Sequence, residues 1–483
     1  KFNENKVEYI SNKFFYHQEL SRIAKSYPNK CALIFENQFF TYKQLDCMSN
    51  SLANSLRNLG VKRNDIVPII CDRSYYYIVA AIGVMKSGGA FIYIDPDFPY
   101  NRIQYMIKDM KAKIILKYLP NKNNENVLKD GLVMEYDLEH HNYNENTNQV
   151  PNVNQWDDLC YLFFTSGTTG KPKVTKIIHD NLIHYCLHTQ SVNGKEDVYK
   201  DEYNNILGFT KFTFAMTIIE IFHTLLKNKT IVLCNDNEYN DPKGLGKLIS
   251  QYNIDFIVST PSRINKYLKD ETFRTSINNV KIINFGGENV SINFLKELKA
   301  NTKAKIYNGY GLSEATAFSA IGIVTENDIN VENEVTIGKP ACNYEIYILD
   351  DDLKPLPIGI EGDIYISGYS ISEGYLNLEN LNKNKFIYCP FNGRKMYKTG
   401  DIGKWTPDGR IVYIGRKDFQ VKIHGQRIEL EEIENTIKEI KGIDYATVIT
   451  RVKENLIDKY LIAYYIIKEK LNGKDIRKNL ERG

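Results

Sequence analysis

The sequence has no C-x-x-C pair: its eight cysteines stand singly at positions 31, 47, 71, 160, 186, 234, 342 and 389. That spacing argues against a zinc site or a disulfide framework and predicts reduced thiols in a cytoplasmic setting. No apolar run approaches the roughly 18 residues of a membrane span. The opening KFNENKVEYI also lacks the apolar core of a secretory signal. An excess of one charge is missing too: 62 basic against 59 acidic residues leave a formal +3, so nothing global points to nucleic acid or a membrane surface. There is no internal repeat. Nor is there a nucleotide P-loop, G-x-x-x-x-G-K-[ST]. Gly167 and Gly170 in FFTSGTTGKPK stand too close together, and Pro172 occupies the position of the Mg²⁺-binding Ser/Thr. Proline would also suit the following helix turn poorly.

What the sequence does have is a change of texture along its length. A chain of 483 residues is too long for one core and predicts two or more domains. Residues 40–60 place Leu45, Met48, Leu52, Leu56 and Leu59 at helical spacing before a Gly stop. DIVPIICDR and AFIYIDPDFP read as short buried strands, with SYYYIVAAIGVMKSG as a helix between them. This β-α-β rhythm predicts a parallel sheet with helices on its faces. Residues 119–156, rich in Asn and without periodicity, read as a long, mostly exposed connection. The rhythm resumes from 159 to about 320 and then gives way to short strands with Gly/Asp turns, including D-G at 408–409. A small α+β unit follows, on LEEIENTIKEI, ATVITRV and YLIAYYII. The chain opens on Lys1 and stops at NLERG, which reads as a piece of a longer protein.

The loop after the strand YLFFT combines Gly167 and Gly170 with Ser166, Thr168 and Thr169 hydroxyls and with Lys171 and Lys173. Glycines let backbone N–H groups turn toward an anion, and lysines add charge. By itself the loop reads equally as a flexible turn. Three further segments appear in order: NGYGLSEAT at 308–316, YKTGD at 397–401 and GRKDFQVKIHGQRIELEEIE at 415–434. Together with FFTSGTTGKPK they resemble the adenylate-forming family of acyl-CoA ligases, luciferases and peptide-synthetase adenylation domains. FTYKQL, MKSGGAFIYIDPDFPYNRI and the long QVKIHGQRIELEEIE look most like the adenylation domains of nonribosomal peptide synthetases.

The resemblance implies an α/β fold. A large N-terminal body (1–417) of β-α-β sheets with a β-rich, barrel-like portion precedes a small mobile α+β lid (418–483), here truncated. It implies ATP and Mg²⁺ as cofactors, a small carboxylic acid as substrate, and a carrier protein with a phosphopantetheine thiol as partner. A carboxylate attacks the α-phosphate of ATP, pyrophosphate leaves, and the thiol then takes the acyl group; such chemistry needs positive charge and donors around the phosphates. By resemblance Thr165, Ser166, Gly167, Thr168, Thr169, Gly170, Lys171 and Lys173 close over the β- and γ-phosphates. Asn308 and Tyr310 face adenine, and Gly287, Glu288, Gly309 and Gly311 belong to the same nucleotide site. Ser313 contacts the α-phosphate, Glu314 holds Mg²⁺, Asp401 accepts from the ribose hydroxyls, and Arg416 lies near ribose and phosphate. Asp418 is the hinge, and Lys422 and Gly425 lie in the loop exposed to the thiol.

The sequence departs from the family pattern in several places. Val174 stands where Gly is usual and Ile178 where Glu is common, and YGLSE replaces YGPTE. In FTFAMTIIEIF, Ala215 occupies the position of the Asp that pairs with an amino acid's α-ammonium. A buried ammonium without a partner costs several kcal/mol, so the expected substrate is an aryl, 2-oxo, 2-hydroxy, fatty or non-α-amino acid. The aligned pocket is Ala215, Met216, Ile219, Val258, Asn284, Gly286, Gly309, Ala317 and Phe318, apolar apart from Asn284. Lys474 comes too early to be the family's catalytic lysine, and the expectation is that this chain contains none. His184 and His188 have the spacing of metal ligands but lack the Glu of H-E-x-x-H. Two alternatives stay open: a stand-alone acyl- or aryl-CoA ligase, and a catalytically inactive nucleotide-binding module.

Overall fold

The computed structural model describes residues 2–5, 15–120, 127–128, 131, 133–165, 172–188, 191–192, 196–197, 199, 202–330, 335–417, 420–423, 426–440, 442–452 and 459–467. Local chemistry sets the elements much as the sequence implies. Thr41 caps the helix Tyr42–Asn58 by accepting from the Gln44 N–H, while the Gln44 side chain answers the Thr41 N–H, a reciprocal capping box. The chain leaves that helix through Gly60 at φ +91°, a conformation glycine adopts without strain. Ile66–Cys71 and Ala90–Tyr93 pair in parallel with the buried helix Tyr75–Ser87 between them, as the β-α-β pattern predicts.

Among the described residues two large sheets carry the body. The first has six strands, in the order Met134–Asp137, Ile114–Tyr118, Ile66–Cys71, Ala90–Tyr93, Leu159–Thr165 and Lys173–Ile178. The second has nine, and its parallel centre runs Lys305–Gly311, Ile282–Phe285, Phe256–Ser259, Asn205–Gly208, Thr230–Leu233 and Cys31–Phe35. A five-stranded antiparallel sheet follows, in which Lys395–Trp405 pairs with Ile411–Arg416 across the D-G turn, with Gly409 at φ +79°. Beyond it come the hairpin Gln420–Ile423/Gln426–Glu429, the helix Leu430–Lys438 and the hairpin Ile443–Val452/Lys459–Ile467.

One expectation needs correction. The Asn-rich stretch after 119 is not simply an exposed connection. Met134–Asp137 adds an edge strand parallel to Ile114–Tyr118, and Leu138 and Val150 are buried. Asn50, Ser51 and Asn54 of the Tyr42–Asn58 helix donate to the carbonyls of Thr147, Asn142 and Asn146, which satisfies backbone that would otherwise need water. Polar side chains on a neighbouring helix, rather than apolar periodicity within the stretch, hold it in place.

A wide helical turn at Ile218–His223 buries Glu220 against the end of the Asn205–Gly208 strand. The Thr210 N–H and hydroxyl donate to its carboxylate at 3.0 and 2.6 Å. Burial pushes the Glu220 pKa up to about 7, against the opposing pull of the Thr210 bonds and of Arg73. The folded value lies above the unfolded one, so this group's contribution is complete below about pH 4.5 and is lost as pH rises through about 7. Wild type measured against Glu220→Gln should therefore lose on the order of 2 kcal/mol between about pH 5 and about pH 8. Urea unfolding of both proteins at the two pH values checks this.

Candidate active site

Strand register decides which residues face one another. Val258, Asn284 and Tyr307 are cross-strand partners in the parallel sheet and therefore share a face. Their neighbours Ile257, Ile283, Phe285 and Ile306 fill the core on the other side. Gly286, two residues after Asn284, returns to the first face. The Phe318 ring lies over it: a Cβ on Gly286 would sit 2.3 Å from Phe318 Cε1, and one on Gly309 would sit 2.9 Å from Cδ2. Met216, Ile219, Val258, Ala317 and Phe318 belong to a single buried cluster, with half-buried Ala215 packed against it. Of the nine aligned pocket positions, Val258 and Asn284 are cross-strand partners and Gly286, Gly309 and Phe318 lie in direct contact. Asn284 is fully buried; its amide donates to the Tyr199 hydroxyl at 2.6 Å, while its Oδ1 has no partner among the described residues. Tyr199 carries no motif and was not anticipated.

A cleft of about 300 Å³ opens at the carboxyl ends of Ile282–Phe285 and Lys305–Gly311. Gly287, Glu288, Asn308, Gly309, Tyr310, Gly311, Tyr413 and Lys422 line it. At its wall the Tyr310 hydroxyl donates to Asp401 Oδ2 at 2.5 Å, and Arg416 Nη1 donates to Oδ1 at 2.9 Å. Asp401 and Arg416 are cross-strand partners in the antiparallel hairpin, so their side chains emerge side by side. Arg416 Nη2 also donates to the Thr399 carbonyl at 3.2 Å. Burial, reinforced by the Asp401 charge, holds the Tyr310 phenol well above its usual range, so it stays protonated and donates. The Asn308 amide donates to the Thr336 carbonyl at 2.8 Å. Glu288 lines the cleft, but its carboxylate accepts from the N–H and hydroxyl of Ser262.

Ser313–Ala315 form a single tight turn that closes at Thr316, φ +68°. The turn buries Glu314 completely, and the Tyr375 hydroxyl donates to its Oε1 at 2.6 Å. Among the described residues no group of three or more His, Cys, Asp or Glu side chains gathers as a metal site. His184 packs on the Tyr369 ring, and the His188 side chain lies outside the described residues.

Thr165 and Lys173 are the paired last and first residues of two antiparallel strands. Ser166, Gly167, Thr168, Thr169, Gly170 and Lys171 lie outside the described residues, as do Asp418, Gly425 and Lys474. The Lys173 Nζ is 3.7 Å from Glu429 Oε1 and 5.8 Å from the Tyr375 ring centroid. The Lys422 Nζ is 6.0 Å from the Tyr310 ring centroid. Val174, at a position where the family pattern has Gly, is buried in a core cluster with Leu162 and Ile92. Tyr375, Tyr413 and Glu429 complete the surroundings; of these only Glu429 falls within a segment the sequence singled out.

The sequence matches the family described as AMP-binding enzyme over residues 20–376. Gramicidin S synthase 2 of Brevibacillus brevis is 36% identical over 472 residues, which is 97% of this chain and 10% of that protein. Tyrocidine synthase 3 of Brevibacillus parabrevis is 33% identical over 494 residues, 100% of this chain and 7% of that protein. The chain therefore spans about a tenth or less of the length of these relatives. Among solved structures, an artificially fused adenylation–PCP di-domain, NpsA-ThdA from Klebsiella oxytoca, superimposes with a TM-score of 0.86 at 22% identity, covering 98% of this chain and 92% of that one. The likeness extends through the body, the β-rich portion and the C-terminal elements, and it concerns the fold.

The contact between Phe318 and the strand glycines gives a direct test. Gly286→Ala places a methyl against the ring and should destabilise the protein by about 1–3 kcal/mol. Adding Phe318→Leu should recover most of the loss. Urea midpoints of the two single variants and the double variant measure the coupling, and strictly additive losses would show that the ring does not lie there.

Proposed function

This chain belongs to the AMP-binding enzyme family, and from that premise we propose that it joins a carboxylic acid to AMP, releasing pyrophosphate from ATP, and then passes the acyl group to the pantetheine thiol of a carrier protein. The observation that carries this reading is the meeting of Tyr310, which lines the cleft, with Asp401 and Arg416 buried behind it. One parallel strand and one antiparallel hairpin there supply an aromatic face, a carboxylate and a guanidinium, the groups that suit a base, a ribose and a phosphate. A carboxylate has about four lone-pair sites, so Asp401 can hold Tyr310 and Arg416 and still accept ribose hydroxyls. Tyr310 and Asn308 take the base, and Ser313 the α-phosphate. The 165–173 turn with Lys173 takes the outer phosphates.

The acid lies on the sheet face beside Gly309, which places its carboxylate near the α-phosphate end of the cleft. The fixed cations and donors lower the repulsion between two anions. Glu314, a buried hard-oxygen donor fixed by Tyr375, fits a Mg²⁺ ion that draws its remaining ligands from phosphate and water. When bound, that ion neutralises phosphate charge. The apolar pocket with Ala215 and Asn284 supports an acid without an α-ammonium: aryl, 2-oxo, 2-hydroxy, fatty or non-α-amino. Residues 1–417 form the core and 418–483 belong to a lid hinged at Asp418, with Lys422 and Gly425 near the incoming thiol. The relatives are named gramicidin S synthase and tyrocidine synthase, and the similar solved structure is titled an adenylation–PCP di-domain NRPS, which supports a place in a peptide-synthetase assembly. The eight cysteines are free thiols, which suits a reducing cytoplasm.

ATP–pyrophosphate exchange with full-length protein over a panel of amino, oxo, hydroxy and aryl acids tests the proposal. Exchange should be highest with an acid lacking an α-ammonium, and Asp401→Asn should reduce it on the order of 10- to 100-fold. Highest exchange with an ordinary L-α-amino acid would overturn the substrate assignment. No exchange with any acid would overturn the activity.

A further inference from the structure

The seam beside the cleft is braced by the first residues of the chain. Residues 335–344 lead from the cleft to the junction of the nine-stranded and antiparallel sheets. Val335 and Ile337 line the cleft, and the Thr336 carbonyl holds the Asn308 amide. The Ile337 N–H donates to the Ile411 carbonyl and the Ile411 N–H to the Gly338 carbonyl, which ties the segment to the strand that carries Arg416. Lys339–Pro340 is then an edge strand of the nine-stranded sheet, and Tyr344–Leu349 an edge strand of the antiparallel one. Residues 2–5 pack on this junction. The buried Asn5 amide lies 3.2 Å from the Pro340 carbonyl, 2.6 Å from that of Ala341 and 2.9 Å from that of Tyr344, so three acceptors share its two hydrogens. Its own carbonyl accepts from the Asn343 N–H at 3.4 Å. The Asn3 side chain donates to the Ile346 carbonyl and accepts from the Ile346 N–H, both at 3.0 Å, as a neighbouring strand would. Phe2 lies on Trp405 with ring centroids 5.1 Å apart, and a Cβ on Gly409 of the D-G turn would sit 2.7 Å from its Cδ1. Pro340 belongs to one sheet, and Tyr344 and Trp405 to the other. This short segment therefore grips the same two sheets that Tyr310 and Asp401 join at the cleft.

We infer that Asn5 is a positioning residue for the nucleotide site: by holding the 340–344 turn it fixes the spacing of the two sheets on which the Tyr310–Asp401 bond and the Asn308–Thr336 contact depend. The inference rests on the reading of the cleft as the nucleotide site, and it adds to that site a residue outside the cleft lining. Replacing Asn5 by Ala takes the donor away from three carbonyls of a buried turn. The turn then opens toward water, and the cleft walls lose their fixed separation. Linkage makes the effect reciprocal: a nucleotide that holds the walls together also holds the segment 2–5 in place. A merely structural Asn5 would contribute to the stability of the fold and leave the ATP affinity of the folded protein unchanged.

The experiment measures ATP affinity by calorimetry on full-length wild type and Asn5→Ala, at a temperature where both are folded. It also follows hydrogen exchange in wild type with and without ATP, at the Ile346 amide and at Leu116 of the six-stranded sheet, the reference for overall stabilisation by a ligand. The variant should bind ATP about five- to twentyfold less tightly, and ATP should slow exchange at Ile346 by more than at Leu116. Equal ATP affinity in folded Asn5→Ala would overturn the inference, and so would equal slowing at the two amides. The exchange arm needs no substitution and decides the matter even if Asn5→Ala fails to fold. Failure of wild type to bind ATP at all would sink the nucleotide reading and this inference with it, whereas binding that Asn5→Ala leaves intact would reject the brace alone.

Discussion

A fully buried carboxylate is costly unless hydrogen-bonded and paired, and Asp401 is the place where this chain meets that constraint. Its two principal partners come from different directions. Arg416 arrives from the next strand of the same antiparallel hairpin, and Tyr310 from the end of the parallel sheet. The pairing therefore fixes the antiparallel sheet against the nine-stranded one. Tyr310, which makes the bond between the two sheets, lines the cleft. Were the hairpin to slip by one residue, Arg416 would turn to the opposite face and the carboxylate would be left buried and unpaired.

The Lys305–Gly311 strand joins the cleft to the face beneath Phe318. Asn308, Gly309 and Tyr310 all line the cleft, and Gly309 also lies against the Phe318 ring. Glycine at 309 and 286 leaves room for the ring to lie flat on the sheet. One short strand thereby brings the cleft and the aligned pocket positions side by side, at the carboxyl ends of parallel strands where α/β sheets commonly bind ligands.

Charge in the site is arranged as linked pairs rather than as a diffuse field, consistent with a chain whose net charge is near zero. Lys173 with Glu429 and Arg416 with Asp401 set opposite charges together, while Glu314 accepts a hydrogen bond from the neutral Tyr375 hydroxyl.

Much of the architecture was legible in one dimension, because helices and strands follow local rules. Spacing of Leu residues and the stop at Gly60 delimit a helix; the D-G turn marks the Lys395–Trp405/Ile411–Arg416 hairpin. Ordered motifs likewise named Asn308, Tyr310, Glu314, Asp401 and Arg416 together. The edge strand Met134–Asp137 was not legible, since its stability comes from a neighbouring strand and helix rather than from its own pattern. The same holds for Tyr199 beside Asn284 and Tyr375 beside Glu314: a lone tyrosine in a Tyr-rich chain has no signature until the fold delivers its hydroxyl to a buried acceptor or donor. Sequence by itself determined which groups this protein owns and in what order. Only the tertiary structure decided which of them share a proton, a charge or a wall, because those pairings cross long stretches of sequence, 256 positions between Lys173 and Glu429, and depend on sheet register that no local rule encodes.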